Sequence, residues 1–497
     1  MHHVKTVLAA AAAVLLAGCA LREPYTRPQA APDAYPAGAA YAAPAEHGLA
    51  AADTGWAEFL LDPRLKRLVR VALDNNQDLR VALLRIGQAR AQLQLQQSAL
   101  LPQVGLAAGG SASKNNSASA GDDNRNHGAI RSDTAGLSGS WEVDFFGRLQ
   151  SLDDAAREQY LATAYARQAA QLLLVGQVAS QYFSMLAYDE QLAISGATLA
   201  AAQASYRIVK LRYDTGTGSE LDETLAAGTL QQAQANQAAQ VRLRAQAENG
   251  LVLLLGQAMP ADLPASVPLH ALAIRHDIPA GLPSDLLLRR PDLLQAEASL
   301  RAENANIGAA RAAFFPRIAL TATLGSASST LGGLFAAGSG AWTFAPNLLL
   351  PLFDGGANQA RLDAARIGKD IGVAQYRKSV QSAFREVADG LAARGTFDTE
   401  LAARQRYREV QQRRLELSEL RYDNGVDDYL SVLNARTDLY NAQIALVGAR
   451  LNQLDSTVDL YRALGGGWLE HSGETPRQAD DAASRIAKNI TETRGGQ

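Results

Sequence analysis

The chain has 497 residues, and its 47 lysines and arginines against 50 aspartates and glutamates give a formal net charge of −3. That balance excludes the strongly basic profile of a nucleic-acid-binding protein. Mean hydropathy is −0.12, and beyond the N-terminus no run of about 18 apolar residues occurs, which excludes a polytopic helical membrane protein. A chain rich in alanine and glutamine with only 6% aromatic residues is typical of long packed helices.

The N-terminus carries the features of a secretory signal. Lys5 precedes an apolar run from Val7 to Leu16, which is too short to span a membrane and ends in small residues before Cys19. This arrangement resembles a bacterial lipobox, and the resemblance implies cleavage before Cys19 and lipidation of that residue, the only cysteine in the chain. An ordinary secreted protein with a chance cysteine is the alternative. The single cysteine excludes a disulfide framework.

Three short motifs occur twice, at offsets of 214, 209 and 208 residues. They are Leu101-Pro102 and Phe315-Pro316, Leu211 to Gly216 and Leu420 to Gly425, and Phe145-Phe146-Gly147 and Phe353-Asp354-Gly355. Such similar offsets predict a tandem duplication of about 210 residues. Each repeat is predicted to contain a helix, a strand pair and two long helices.

The duplication sets the predicted domain boundaries. They are a signal peptide (1–18), a lipid-anchored, Pro/Ala-rich tether (19–55), a first repeat (56–259) with its strand pair in 103–145, a Pro-rich linker (260–283), a second repeat (284–467) with its strand pair in 317–353, and a polar tail (468–497).

One strand in each repeat alternates between apolar and polar residues over about nine positions, as a half-buried strand does. The apolar positions are Leu137, Gly139, Trp141, Val143 and Phe145 in the first repeat, and Ile318, Leu320, Ala322 and Leu324 in the second. Strands with one apolar and one polar face are typical of a transmembrane β-barrel.

Four strands cannot close a barrel, because unpaired backbone groups are costly in lipid. Three chains supply twelve strands, an even number that closes. The sequence therefore predicts an α+β membrane protein that is a homotrimer with a twelve-stranded β-barrel, four strands per chain. A soluble four-stranded sheet packed on helices is the alternative.

The remaining segments predict long helices. No proline occurs from Asp153 to Asp214 or from Ala357 to Asp423. Beyond Gly425, apolar residues recur from Leu430 to Tyr461 at the 3,4 spacing of a coiled coil. A coiled-coil adaptor would show the same spacing, so the helices alone do not decide the function.

At the start of the second repeat the residues become specific. The segments Leu287 to Asp292, Ile307 to Arg311 and Phe314 to Pro316, together with Trp141 to Arg148, resemble the lipoprotein branch of the TolC-like outer membrane factor family. The resemblance extends over residues 56–467. It implies a trimeric β-barrel in the cell outer membrane that continues into a long α-helical barrel of coiled-coil helices in the periplasm.

The resemblance also implies a function. Such a channel docks with a periplasmic adaptor (a membrane fusion protein) and an inner-membrane pump, and passively exports small molecules such as drugs, toxic compounds or metal ions. It needs no cofactor and performs no catalysis. The alternative from another class is a periplasmic structural or adaptor lipoprotein without a pore.

Two groups of residues are candidate functional sites. The family places the repeated Tyr-Asp-x-Gly turns at the periplasmic end of the pore, and the second turn is followed by paired acids. Asp427 and Asp428, with Arg421 and Tyr422 bridging to neighbouring helices, are therefore a candidate gate, because the first turn has Gly218 and Ser219 in place of the paired acids. Helix capping is the alternative. Glu142 and Asp144 lie on the predicted lumen face, where they would bias ion selectivity at most.

Enzyme motifs are absent from the sequence: it contains no H-E-x-x-H, G-x-S-x-G or Walker A segment. The seven histidines are scattered, and three methionines and one cysteine argue against a soft-metal relay. We therefore predict no enzymatic activity, no metal site and no cofactor.

Overall fold

The structure is a computed structural model that describes residues 21, 23–29, 34–41, 49–113, 130–275, 279 and 283–473. The predicted signal peptide, Cys19 and residues 474–497 of the predicted tail lie outside the described residues. The chain divides into two compact units. The first covers Ile86–Thr163 and Ala296–Tyr376 with the N-terminal segment up to Pro28, and the second covers the remaining residues.

Apart from one extra four-residue helix at the start of the first half, helices and strands follow one another in the same order in both halves of the chain. The helices are α1 (Trp56–Phe59), α2 (Pro63–Asn75), α3 (Gln77–Ser98), α4 (Arg148–Asp214), α5 (Glu220–Leu255), α6 (Pro283–Arg289), α7 (Pro291–Ala312), α8 (Ala357–Asp423) and α9 (Tyr429–Ala463). The strands are β1 (Gln103–Ser113), β2 (Ile130–Val143), β3 (Arg317–Ser328) and β4 (Gly340–Leu349).

The lengths of equivalent helices confirm the duplication. Helices α3 and α7 each have 22 residues, α4 and α8 each have 67, and α5 and α9 have 36 and 35. The α+β fold and the two long proline-free helices predicted from the sequence are confirmed. None of the described helices combines the length and the apolar composition needed to cross a membrane.

The four strands form one antiparallel sheet in the order β1-β2-β3-β4. Opposite residues share a face, and one such row of apolar side chains crosses all four strands: Leu106, Leu137, Leu324 and Trp342. Leu106 and Trp342 are 83% and 76% exposed, so none of the described residues covers this apolar face. The predicted alternation in β2 and β3 is therefore present, although β2 ends at Val143 and excludes Phe145 because a turn into α4 begins there.

Two glycines let β2 and β3 approach closely at the middle of the sheet. Gly136 lies opposite Gly325, and a Cβ atom on Gly136 would come within 2.5 Å of the Leu324 carbonyl oxygen. A Cβ atom on Gly325 would meet the Ala135 carbonyl oxygen and lie 2.5 Å from the Gly136 Cα atom. Both obstacles are backbone atoms, which cannot move aside as a flexible side chain can.

In the second unit, the C-terminal end of α9 packs on α1. The Tyr461 and Phe59 rings stack with centroids 3.9 Å apart, and the Tyr461 hydroxyl donates to the Thr54 carbonyl oxygen at 2.6 Å. Burial raises the pKa of the Tyr461 hydroxyl, so it remains a hydrogen-bond donor at every physiological pH. This contact joins the last helix to α1 and to Thr54, just before α1.

We expect Gly325→Ala to destabilise the sheet by about 1–3 kcal/mol, the usual penalty for forcing atoms into a packed site. The measurement is the resistance of the folded protein to heat and protease. Gly139→Ala is the matched control, because the nearest atoms to a Cβ there are 3.8 and 3.9 Å away. Equal loss of resistance in both variants would contradict the close-approach argument.

Candidate functional site

The two repeated turns share one backbone conformation. Gly216 and Gly425 have φ angles of 73° and 71°, in the left-handed region where glycine is favoured. The Thr217 N–H donates to the Arg212 carbonyl oxygen at 2.8 Å, and the Val426 N–H donates to that of Arg421 at 2.9 Å. The repeated glycine motif therefore has a structural explanation, which leaves the acids of the second turn to be explained separately.

Asp428 is the N-cap of α9. Its Oδ1 atom accepts from the Ser431 N–H at 3.0 Å. Ser219 caps α5 at the equivalent position of the first turn and accepts from the Asp222 N–H, also at 3.0 Å. Asp428 therefore does what capping requires, and a serine does the same in the other repeat.

Asp427 makes contacts that capping does not require. Its Oδ2 atom accepts from Arg421 Nε at 3.3 Å, and its Oδ1 atom accepts from the Asp428 N–H at 3.0 Å and the Ser431 hydroxyl at 3.2 Å. The Asp428 N–H, and then Arg421, lower the pKa of Asp427 below its usual range. The carboxylate is therefore charged at neutral pH, and its contacts weaken only as the pH falls below that range.

Tyr422 joins the long helices of the two repeats. Its hydroxyl accepts from Arg212 Nη1 at 3.0 Å, and the Arg212 guanidinium lies over its ring, 5.4 Å from the centroid. The ring centroids of Tyr422 and Tyr429 are 5.3 Å apart. Tyr422 thus lies at the edge of an apolar cluster that contains Val209 and Val432.

The structure therefore brings all four predicted residues to one end of the α8–α9 hairpin and adds Arg212, which sequence analysis missed. The signal for it was available, because Arg212 is the counterpart of Arg421 in the repeated motif. Two further links occur there: Ser205 Oγ lies 2.6 Å from the Tyr429 hydroxyl, and the Tyr206 hydroxyl donates to Glu223 at 2.9 Å.

Glu142, at the end of β2, lies between two arginines. Arg148 donates to its two carboxylate oxygens at 2.9 and 3.0 Å, and Arg317 Nε donates at 2.7 Å. The carboxylate thus ties β2 to the first residue of α4 and the first residue of β3. Its negative charge is compensated, so it contributes little free negative potential.

Asp144 is a helix cap. It accepts from the Gln150 N–H at 2.8 Å, in the first turn of α4. In the second repeat Asp354 accepts from the N–H groups of Gly356 and Asn358 at 3.0 and 2.8 Å. The Asn358 N–H, acting against slight burial, holds the pKa of Asp354 below its usual range. Both acids therefore stabilise the starts of the two longest helices.

A cavity of about 350 Å³ opens where the sheet meets these helix starts. Glu142, Asp144 and Asp354 line it together with Arg148, Arg317 and Arg361, and the rings of Phe146 and Phe315 stack beside it at 4.8 Å. The acids and bases are equal in number, which leaves this part of the chain close to neutral. In the part of the chain that the structure describes, no group of three or more His, Cys, Asp and Glu residues could hold a metal ion.

The comparisons with known proteins agree with this architecture. A sequence profile described as outer membrane efflux protein matches residues 68–257 and 282–466. The toluene efflux pump outer membrane protein TtgC of Pseudomonas putida is 43% identical, over 95% of this chain and 97% of that protein. Outer membrane protein OprJ of Pseudomonas aeruginosa is 42% identical, over 92% of this chain and 95% of that protein.

Among solved structures, the open state of the MtrE outer membrane channel of Neisseria gonorrhoeae has a TM-score of 0.80 and 35% identity. The match covers 91% of this chain and 99% of that channel. The fold is thus that of an outer membrane channel.

This chain belongs to the outer membrane efflux protein family. It is an outer membrane component of an efflux system, and the adaptor alternative is set aside.

We expect Glu142→Gln to shift the ion selectivity of the channel toward anions, because it leaves Arg148 and Arg317 without their shared carboxylate. The measurement is the reversal potential in a planar lipid bilayer under a salt gradient. Asp133→Asn is the matched control, since Asp133 lies on the same strand but on the opposite face. An unchanged reversal potential in Glu142→Gln would show that this carboxylate does not face the ion path.

Proposed function

We propose that this protein is the exit channel of a three-component efflux pump, in which a homotrimer receives substrates from an inner-membrane pump through a periplasmic adaptor. The observation that carries the proposal is the exposed apolar face of a four-stranded sheet that is continuous in sequence with two 67-residue helices. The names of the relatives, which include toluene, solvent and antibiotic efflux pumps, support small hydrophobic or amphipathic molecules as substrates. Transport is passive and uses no cofactor, and no residue is assigned a catalytic role.

The open edges of the sheet supply the reason for assembly. Within the described residues, β1 and β4 each pair along one edge only. An open edge in lipid leaves backbone groups without partners, so the sheet closes only by pairing β4 of one copy with β1 of the next. Three copies make a barrel of twelve strands.

The internal repeat predicts the register of that pairing. Val104 lies opposite Gly139 in the first hairpin, and its counterpart Ile318 lies opposite Leu348 in the second, so Leu348 is equivalent to Gly139. Gly139 pairs with Ala322, six residues after Pro316. The equivalent residue after Pro102 is Ala108, so Leu348 lies opposite Ala108 of the next copy.

The two faces of the sheet support this register. Leu348 and Ala108 both belong to the apolar face. Each lies an even number of residues along its strand from a member of the apolar row, Trp342 in β4 and Leu106 in β1. A slip of one residue would place apolar side chains on the polar face, whereas a slip of two would preserve the faces.

We further propose that Cys19 carries the lipid anchor at the outer membrane. It is the only cysteine in the chain and follows the small residues that a signal peptidase accepts. Once acylated, its thiol is unavailable, so introduced cysteines become the only free thiols.

We expect the double variant Ala108→Cys with Leu348→Cys to form covalent dimers and trimers upon oxidation in outer membranes. Opposite residues in antiparallel strands have Cβ atoms about 4.5–5.5 Å apart, close to disulfide distance. The measurement is the molecular mass on a denaturing, non-reducing gel.

Ala107→Cys with Leu348→Cys is the matched control, because residue 107 points to the other face and its thiol should not react. If Leu348→Cys formed no interchain product with Leu106→Cys, Ala108→Cys or Gly110→Cys, closure by this edge pairing would be wrong. Equal cross-linking through Ala107→Cys would overturn the assignment of faces.

The gate is the second part of the proposal. Asp427 and Arg421 form an ion pair at the end of the α8–α9 hairpin, and Tyr422 with Arg212 links the two repeats there. In a trimer, threefold symmetry brings three copies of each acid of the second turn around one axis. We assign the closed state to this set of contacts, with Asp427 as its central residue and Asp428 mainly as a helix cap.

We expect Asp427→Ala to raise the conductance of the isolated closed channel, because Arg421 and the following turn lose their shared acceptor. Asp428→Ser should leave conductance unchanged, since Ser219 caps the equivalent helix. Asp428→Ala should cost about 1 kcal/mol of stability through loss of the cap. Single-channel recording and thermal unfolding measure the two effects, and an unaltered closed-state current in Asp427→Ala would refute the gate.

A further inference from the structure

The N-terminal segment that follows Cys19 docks on the first unit. Its composition predicts an extended tether, and residues 23–29 form neither helix nor strand. They are nevertheless held by side-chain contacts to α7 and α8. The most buried partner is Glu297 of α7, a carboxylate that is only 3% exposed.

Three side chains donate to Glu297. Arg27 donates through Nε at 3.0 Å and Nη2 at 2.7 Å, one bond to each carboxylate oxygen. Arg301, one turn further along α7, donates at 2.8 Å, and the Tyr25 hydroxyl donates at 3.3 Å. Paired bonds from one guanidinium to both oxygens fix direction as well as distance.

The aromatic ring of Tyr25 adds a second kind of contact. The Arg301 guanidinium lies over that ring, 5.1 Å from its centroid. Burial alone would raise the pKa of Glu297, but hydrogen bonds from Arg27 and Arg301 outweigh it and lower that pKa. Glu297 is therefore ionised at neutral pH, and two of its three donors come from the docked segment.

A second point of attachment lies nearer the lipid anchor. Glu23 pairs with Lys369 of α8 at 3.2 Å and with Arg311 of α7 at 3.4 Å. The Asn304 side-chain amide donates to the Glu23 carbonyl oxygen at 2.9 Å. The hydrogen bond from Lys369 is the main cause that lowers the pKa of Glu23. The docked segment is thus held at both of its ends.

The position of Glu23 matters for the anchor. Arg311 is the penultimate residue of α7, and β3 begins at Arg317. Cys19 precedes Glu23 by four residues, so even a fully extended chain lets Cys19 reach only about 14 Å from it. The docked segment therefore limits where the acyl chains can enter the membrane.

We propose that residues 23–28 form an anchor latch. The latch binds to Glu297 and fixes the lipid anchor beside the start of strand β3. The placement of acyl chains rests on the proposed lipidation of Cys19, whereas the docking of the latch does not. The latch restricts Cys19 to positions within a short distance of Glu23. The depth of the acyl chains is thereby matched to the end of the sheet.

The first test measures the mobility of the latch in the full-length protein, purified from outer membranes and placed in lipid nanodiscs. Thr26 is exposed, and a nitroxide on Thr26→Cys reports local motion. We expect an immobilised spectrum in the parent and nanosecond mobility, typical of free loops, after Glu297→Gln.

Asp363→Asn is the matched control. Asp363 also lies on a helix of the first unit, but its partners are Gln359 and Arg366 rather than the latch. A mobile label in the parent would overturn the latch, and an immobile label after Glu297→Gln would overturn the role of Glu297. Conductance of the same preparations in planar bilayers tests the proposed channel separately.

The second test asks which chain the latch belongs to. Glu23→Cys with Arg311→Cys leaves the Arg27 contact intact and is treated with a short bifunctional maleimide. A product that stays at monomer mass on a denaturing gel supports a latch within one chain. A ladder of dimers and trimers would show that the segment crosses to a neighbouring copy and would overturn the proposal as stated.

Discussion

The hydrogen-bonding requirement of the backbone in lipid governs this structure. A four-stranded sheet with an apolar face has two edges whose N–H and C=O groups cannot be left unpaired in hydrocarbon. In the proposed trimer the duplicated chain meets this requirement by repetition, since the β2–β3 pairing inside one chain is the pattern for the pairing between chains. Gly136 and Gly325 let β2 and β3 approach closely at the junction between the repeats. Any larger residue at either position would meet backbone atoms of the opposite strand.

Acidic residues at the ends of long helices have two roles that sequence alone does not separate. Asp144, Asp354 and Asp428 each accept backbone N–H groups at a helix start, where they offset the helix dipole. Asp427 also accepts a backbone N–H, that of Asp428, but it has an arginine partner in addition, and the first repeat has Gly218 at its position. The first turn is therefore a capping-only reference for the second, because Ser219 caps its helix without a paired acid beside it.

Periodic features were predictable from the sequence, whereas specific long-range contacts were not. The duplication, the strand alternation and the two proline-free helices follow from the spacing of residues along the sequence. That spacing can be recognised in each segment without knowing which other segments it contacts. The pairing of Glu142 with Arg317, 175 positions away, depends on strand register, and no local pattern records it. The docking of Arg27 on Glu297 spans 270 positions. It was missed because a segment rich in proline and alanine looks like a free linker whether or not a few of its side chains find partners.

Three acidic residues of this chain hold separate segments together. Glu142 is shared by two arginines, Glu297 by two arginines and a tyrosine, and Asp427 by Arg421 and the following turn. A compensated carboxylate offers little free potential to a passing solute, so discrimination at these positions is weak. Such a conduit is suited to a pump that selects its substrates elsewhere, because these contacts join segments of the chain and leave little charge for a solute to recognise.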